Sequence, residues 1–182
     1  MKSSLGLLEL RSIAAGIKAA DEMLKSADVE LVMATPICPG KYVVLITGNV
    51  GAVKNAMETG VREADVFLVE NHIINNVDEK VIPALSGTSM IDDIKAIGVI
   101  ETISALTSVK AGDIAVKTSN VEIIEIRIAR GLGGKGFIII CGELSAVKSA
   151  IKSCVAELQE GGQIISTSVM ASPDKGLISK II

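Results

Sequence analysis

The sequence is poor in aromatic residues. In 182 residues it has no Trp, one Tyr (Tyr42) and two Phe (Phe67, Phe137). It is also short of net charge, with 18 Lys+Arg against 21 Asp+Glu, and of proline, with four. Without a basic excess or stacking side chains it lacks the means to neutralise phosphates and hold bases, which argues against a nucleic-acid partner. An apolar fraction of 49% with a net charge of −3 excludes a disordered chain. No apolar run approaches the roughly 18–20 residues of a membrane span, and the short apolar start broken by Glu9 does not read as a signal peptide. Three cysteines (Cys38, Cys141, Cys154) make no disulfide framework, and the odd count favours a reducing compartment. A soluble, cytoplasmic protein that neither enters a membrane nor binds nucleic acid is expected.

What the sequence does have is a repeat. Leu5-Gly-Leu-Leu-Glu9 recurs as Ile97-Gly-Val-Ile-Glu101, an offset of 92, and 9 of the 27 positions from Leu5 to Leu31 are identical in that register. The offset then becomes 94, and 10 of the 24 positions from Gly40 to Glu63 are identical. The length changes between Leu31 and Gly40. This is a tandem duplication, with domains expected at 1–90 and 91–182 and the boundary near Ser86–Ile94.

Both halves carry the same pattern. Strands are expected at Ser4–Leu10 and Ala96–Ile103, at Val29–Ala34 and Val121–Ile128, at Tyr42–Thr47 and Gly136–Cys141, and near Val66–Ile74 and Gln163–Met170. A helix follows the first strand, with Ile13, Ile17, Ala20, Leu24 and Ala27 as its expected core stripe. A second follows the third strand, with Val50, Val53, Ala56, Met57 and Val61 facing inward. The later copy uses Leu144, Val147, Ala150, Ile151, Cys154, Val155 and Leu158. Strand–helix–strand–strand–helix–strand is a ferredoxin-like α/β pattern.

Specific words recur within the repeat: Leu5-Gly-Leu-Leu-Glu9, Ala20-Asp-Glu-Met-Leu-Lys-Ser-Ala27 and Gly48-Asn-Val-Gly-Ala-Val-Lys54, echoed by Gly112-Asp113 with Lys117 and by Gly142-Glu-Leu-Ser-Ala-Val-Lys148. Together they resemble bacterial microcompartment shell proteins over nearly all of both halves, and the duplication resembles the tandem-domain members. That resemblance implies two ferredoxin-like, microcompartment-type domains, each a four-stranded antiparallel sheet with helices. It also implies a homotrimer shaped as a pseudohexamer, set in the microcompartment shell within the cytoplasm. It implies no catalysis, and partners among other shell proteins and an encapsulated redox enzyme.

Ile37-Cys-Pro-Gly-Lys41 resembles the loop of iron–sulfur-binding tandem shell proteins of propanediol-utilisation microcompartments. By that resemblance Cys38 of each of three subunits holds one [4Fe–4S] cluster on the threefold axis, for electron transfer or cluster transport across the shell. One chain offers a single loop cysteine and no C-x-x-C motif, so three thiolates would ligate three irons and a non-protein ligand the fourth. The repeat counterpart of Cys38 is Leu132, so no packing rule shared by the halves requires sulfur there. Cys141 and Cys154 lie on apolar stripes and read as core residues. Pro39, Gly40, Leu132, Gly133 and Gly134 are the expected pore-loop residues, with Pro36 and Pro39 stiffening the cysteine loop. Arg130-Gly-Leu-Gly-Gly-Lys135 lacks the spacing of a phosphate cradle. The alternatives are a shell tile with an unmetallated metabolite pore, and a trimeric small-molecule sensor on the same fold.

Lys25 and Lys117 stand four residues after Asp21 and Asp113. By resemblance they are tile-edge lysines; read by themselves they make i,i+4 pairs on a solvated helix face. The family's edge arginine is replaced at both sites, by Asn76 and Ser172, which bears on lateral tiling. His72, the only histidine, has no second ligand nearby in sequence and reads as structural.

Overall fold

A computed structural model describes residues 3–87, 94–128, 131–158 and 162–181. Most of the expected linker (88–93) and Arg130 of the Gly-rich loop lie outside the described residues. The chain divides into two compact units, Met1–Val77 and Asp78–Ile182.

The first unit runs β1 (Ser4–Leu10), α1 (Ile13–Ser26), β2 (Glu30–Ile37), β3 (Lys41–Gly48), α2 (Val50–Ala64), a 3-10 turn at Asp65–Phe67 and β4 (Leu68–Ile74). Its sheet is antiparallel with strand order β2-β3-β1-β4. The second unit begins with a five-residue helix, α3 (Val81–Leu85). It then repeats the pattern as β5 (Ala96–Thr102), α4 (Ala105–Thr118), β6 (Val121–Ile128), β7 (Gly136–Gly142), α5 (Leu144–Leu158) and β8 (Ile164–Ala171), and ends in α6 (Lys175–Ile181). Its order, β6-β7-β5-β8, is that of the first sheet. The expected ferredoxin-like pattern is present twice.

Local chemistry sets the helix starts. Ser12, Asn49 and Ser104 are N-caps whose side-chain oxygens accept hydrogen bonds from the backbone N–H groups of Ala15 (3.2 Å), Ala52 (2.8 Å) and Thr107 (3.2 Å). In the first unit the side chains of Leu8 and Leu10 from β1, and Tyr42, Val44 and Ile46 from β3, pack with Ala19, Ala20 and Met23 of α1 and Val53, Ala56 and Met57 of α2. A strand presents alternate residues to opposite faces, so the intervening Leu5, Leu7, Glu9, Val43 and Leu45 point away from the helices, and they too are buried.

The core face of α1 shares only Ala20 and Ala27 with the expected stripe. Ile13, Ile17 and Leu24 are exposed, and Gly16, Ala19, Ala20 and Met23 are the buried residues. The reason is proximity: a Cβ at Gly16 would lie 2.5 Å from Cδ1 of Tyr42. The helix approaches the sheet through its smallest residues, and its larger apolar residues turn outward. The second unit reverses the sizes at the same contact. Ser108 stands where Gly16 is and Gly136 where Tyr42 is, and a Cβ at Gly136 would lie 2.5 Å from Oγ of Ser108.

The repeat counterparts Ala105 and Val109 on α4 are fully buried. Here α3 adds cover. Val81, Ala84 and Leu85 are buried as it packs on α4 and β6. Lys80 Nζ donates to the Val121 carbonyl (3.2 Å) and to Glu122 (2.7 Å).

Candidate functional site

Cys38 lies at the tip of the β2–β3 hairpin. The register closes with Ile37 opposite Lys41, leaving Cys38, Pro39 and Gly40 as a three-residue connection. Gly40 has φ +73°, in the left-handed region that such a hairpin needs at this place and that glycine takes without strain. The Cys38–Pro39 peptide bond is cis. Pro36 sits on the edge strand β2, where its missing N–H costs no ladder bond. Cys38 is half-buried and free.

The counterpart loop differs in length and shape. Between Ile128 and Gly136 the chain turns through Gly131, Gly133 and Gly134, all at positive φ, and the Lys135 N–H donates to the Leu132 carbonyl (3.2 Å). It leads into a strand, β7, and not into a helix, so no helix N-terminus faces a bound anion there. Leu132 lines an apolar cavity of about 290 Å³ with Val99, Glu101, Lys135, Gly136 and Phe137. Its two charged groups are bonded to each other, Lys135 Nζ to Glu101 at 3.0 Å. The Arg127 guanidinium stacks over Phe137 at 5.3 Å.

Both lysines that flank the loops are tied back to the first strand of their own unit. Lys41 bonds Glu9 just as Lys135 bonds Glu101, and the two pairs occupy equivalent repeat positions. They differ in solvent access. The Glu9 carboxylate is fully buried with Lys41 19% exposed, whereas Glu101 and Lys135 are 38% and 48% exposed. Burial, the largest effect, pushes the Glu9 carboxyl above the usual range against the pull of Lys41, and Glu70 adds to the rise. Sequence reasoning passed over this pair because its members are 32 residues apart; the signal available was that both residues recur in both halves.

The other two thiols are inert by environment. Cys141 is buried, and desolvation with the nearby Glu122 raises its pKa to about 11. Cys154 is buried, with a pKa of about 12, and its Sγ donates to the Ala111 carbonyl at 3.3 Å. Among the described residues, no three His, Cys, Asp or Glu side chains are grouped to hold a metal ion within one chain. His72 is bound to Glu70 (2.6 Å).

Lys25 and Lys117, the lysines expected at a tile edge, sit in unlike settings. Lys25 bonds Asp21 and Glu22 on an exposed face, while Lys117 bonds Asp113 at 2.5 Å, whose other oxygen accepts the Asp78 N–H at 2.9 Å. Asn76 and Ser172 occupy equivalent turns after β4 and β8, both in left-handed backbone at φ 53° and 49°.

The family model described as the BMC domain matches twice, over residues 4–77 and 96–173, one match on each sheet-and-helix unit. The chain belongs to the BMC-domain family. Among curated BMC proteins it is 37% identical over its whole length, and 99% of the relative's, to the bacterial microcompartment shell protein PduT of Citrobacter freundii. It is 30% identical, over 98% of this chain and 68% of the relative, to the carboxysome assembly protein CcmO of Synechococcus elongatus. A crystal structure of a microcompartment protein from Desulfitobacterium hafniense DCB superposes with a TM-score of 0.93 at 41% identity, covering 98% of this chain and 99% of that one. The chain is thus a tandem-domain structural shell protein of a microcompartment, related to shell and assembly proteins and not to enzymes. No helix among the described residues is long and apolar enough to cross a membrane.

Proposed function

We propose that three copies of this chain form a shell tile in which the Cys38 thiolates together hold one [4Fe–4S] cluster, with a non-protein group as the fourth ligand. The observation that carries the reading is the position of Cys38: a solvent-reachable thiol at a hairpin tip, where the other repeat has Leu132. The donor set fits, because such clusters take several thiolates and one chain supplies one reachable thiol. When bound, the cluster supplies a one-electron redox centre that serves electron transfer or cluster delivery across the shell.

The chain's own residues hold the ligand in place. The hairpin closes tightly between Ile37 and Lys41, Pro39 fixes the backbone next to the thiol, and Lys41 is anchored on the buried Glu9. A ligand set built this way needs little reorganisation on binding. Leu132, Gly133 and Gly134 alternate with Pro39 and Gly40 around the opening of the tile. Lys25 and Lys117 face neighbouring tiles of other shell proteins, and an encapsulated redox enzyme is the electron partner.

Anaerobic reconstitution with iron and sulfide tests the reading. Wild-type protein is expected to turn brown with a broad visible band and about four irons per three chains. Cys38→Ser loses the band; Cys141→Ser and Cys154→Ser keep it. Colourless wild-type protein that is folded and trimeric would overturn the cluster and leave an open metabolite pore.

A further inference from the structure

The segments that follow the last strand of each repeat are two copies of one structure. Ile74 pairs with Leu5 and Met170 with the equivalent Ile97, so the residues beyond β4 and β8 correspond one to one. Asn76 and Ser172 make the same left-handed turn. Asp78 and Asp174 come next, and the Oδ1 of each accepts the N–H two residues on, from Lys80 at 3.0 Å and Gly176 at 2.7 Å. Their backbone carbonyls accept the N–H groups of Val81 and Leu177, both at 3.1 Å. The helices α3 and α6 follow.

The surroundings of these two segments are not alike. α3 packs on α4 and β6. It is seated there by the Asp78 N–H, which donates to Asp113 Oδ1, and by Lys80 Nζ, which donates to the Val121 carbonyl. Val81 is fully buried. In α6, Ile178 and Ile181 pack against Ile97, Ile139 and Cys141 of their own sheet. That leaves Leu177, the counterpart of Val81, 42% exposed.

The surface that α3 covers also has its counterpart. Val109, Asp113 and Ile123 are buried on α4 and β6, whereas the equivalent Ile17, Asp21 and Leu31 on α1 and β2 are all exposed. Ile13 and Leu24 extend this exposed apolar stripe along α1. Large apolar side chains grouped on a surface mark a place where another surface fits. Here the chain itself shows the fit: a segment like α6, set on a helix and strand like α1 and β2.

We propose that the turn at Ser172 and helix α6 of one copy dock on α1 and β2 of a second copy, as α3 docks on α4 and β6. Leu177 packs against Ile17 and Leu31, and the Asp174 N–H donates to the Asp21 oxygen that does not hold Lys25. The donor and acceptor surfaces are different patches of the same chain, so the contact is heterologous and its repetition can close a ring. The inference deepens the shell-tile reading, on which it rests for the number three, and it needs no cluster.

The test uses the full-length, metal-free protein in the analytical ultracentrifuge, with circular dichroism as the check on folding. Wild type is expected to sediment as a trimer. Leu177→Asp and Ile17→Asp change side chains that are exposed in the single chain, so both variants are expected to stay folded. Each sets an unpaired charge in the joint, and association is expected to weaken by roughly tenfold or more. Val66→Asp, at an exposed position off this surface, is expected to leave the trimer intact. A short bismaleimide then identifies the neighbours in a Cys38→Ser background. Chains carrying Ile17→Cys, co-expressed with chains carrying Leu177→Cys, are expected to give a two-chain product. A one-chain product from the doubly substituted protein would place the contact within a chain and overturn the proposal. Trimers that persist in both Asp variants would overturn the joint and leave the tile standing, and a folded but monomeric wild type would overturn both. A colourless reconstituted protein whose trimer is still lost in the two Asp variants would support the joint and overturn only the cluster.

Discussion

Gly16 and Tyr42 fill one space between α1 and β3: the glycine backbone lies so near the ring that a Cβ there would sit 2.5 Å from Cδ1 and 2.7 Å from Cβ of the tyrosine. The ring is rigid and its residue buried, so it has little room to withdraw. Gly16→Ala is expected to destabilise the protein by about 1–3 kcal/mol, the usual range for overpacking a filled core. The second unit shows the compensated form of the contact, Ser108 against Gly136. Gly16→Ser should therefore cost less in a Tyr42→Gly background than alone. Urea unfolding of the four members of this cycle measures the coupling; equal costs in both backgrounds would show that the two positions do not share their space.

The same contact explains what could be read from the sequence. The eight core strands were legible because their apolar patterning is strong and occurs twice in register, and β1 and β6 fall on the expected residues, Ser4–Leu10 and Val121–Ile128. The buried face of α1 was legible only in Ala20 and Ala27. Periodicity picks out Ile13, Ile17 and Leu24 as the largest apolar stripe, but close approach to the sheet is governed by the small residues Gly16, Ala19 and Ala20. Helices α3 and α6, of five and seven residues, are too short for a 3.6-residue period to register, and α3 contains Pro83. Cys38 was legible as a break in the repeat. The placement of Glu70 opposite Glu9 was not, because strand pairing alone brings β4 beside β1, and nothing local to either segment reports that register.

Repeat symmetry gives a matched pair of charge deletions. Removing Lys41 leaves the Glu9 carboxylate buried with no cation, whereas removing Lys135 leaves Glu101 partly in water. Breaking a buried pair from one side costs roughly 3–5 kcal/mol, and an exposed pair is worth about 0–1 kcal/mol. Lys41→Met is expected to lower stability by at least about 2 kcal/mol more than Lys135→Met, read from denaturant midpoints of metal-free protein. Adding Glu9→Gln to Lys41→Met removes the orphaned charge and should recover much of the loss. Identical losses for the two lysine variants would mean that Glu9 is neutralised by something other than Lys41.

The three thiols should separate cleanly in a labelling experiment. Thiolate is the reacting species, and its fraction falls tenfold for each unit by which the pKa exceeds the pH. With Cys141 at about 11 and Cys154 at about 12, both buried, neither presents appreciable thiolate in mildly alkaline buffer. Cys38 sits at a hairpin tip and is reachable. Native metal-free protein is therefore expected to take up one iodoacetamide per chain, and two more only after denaturation. Cys38→Ser should abolish the native reaction. Cys141 and Cys154 should stay unlabelled in native protein until the pH approaches their raised pKa values of about 11 and about 12. Rapid native labelling of two or three thiols would show that the helix-and-sheet core around Cys141 and Cys154 opens on the timescale of the reaction.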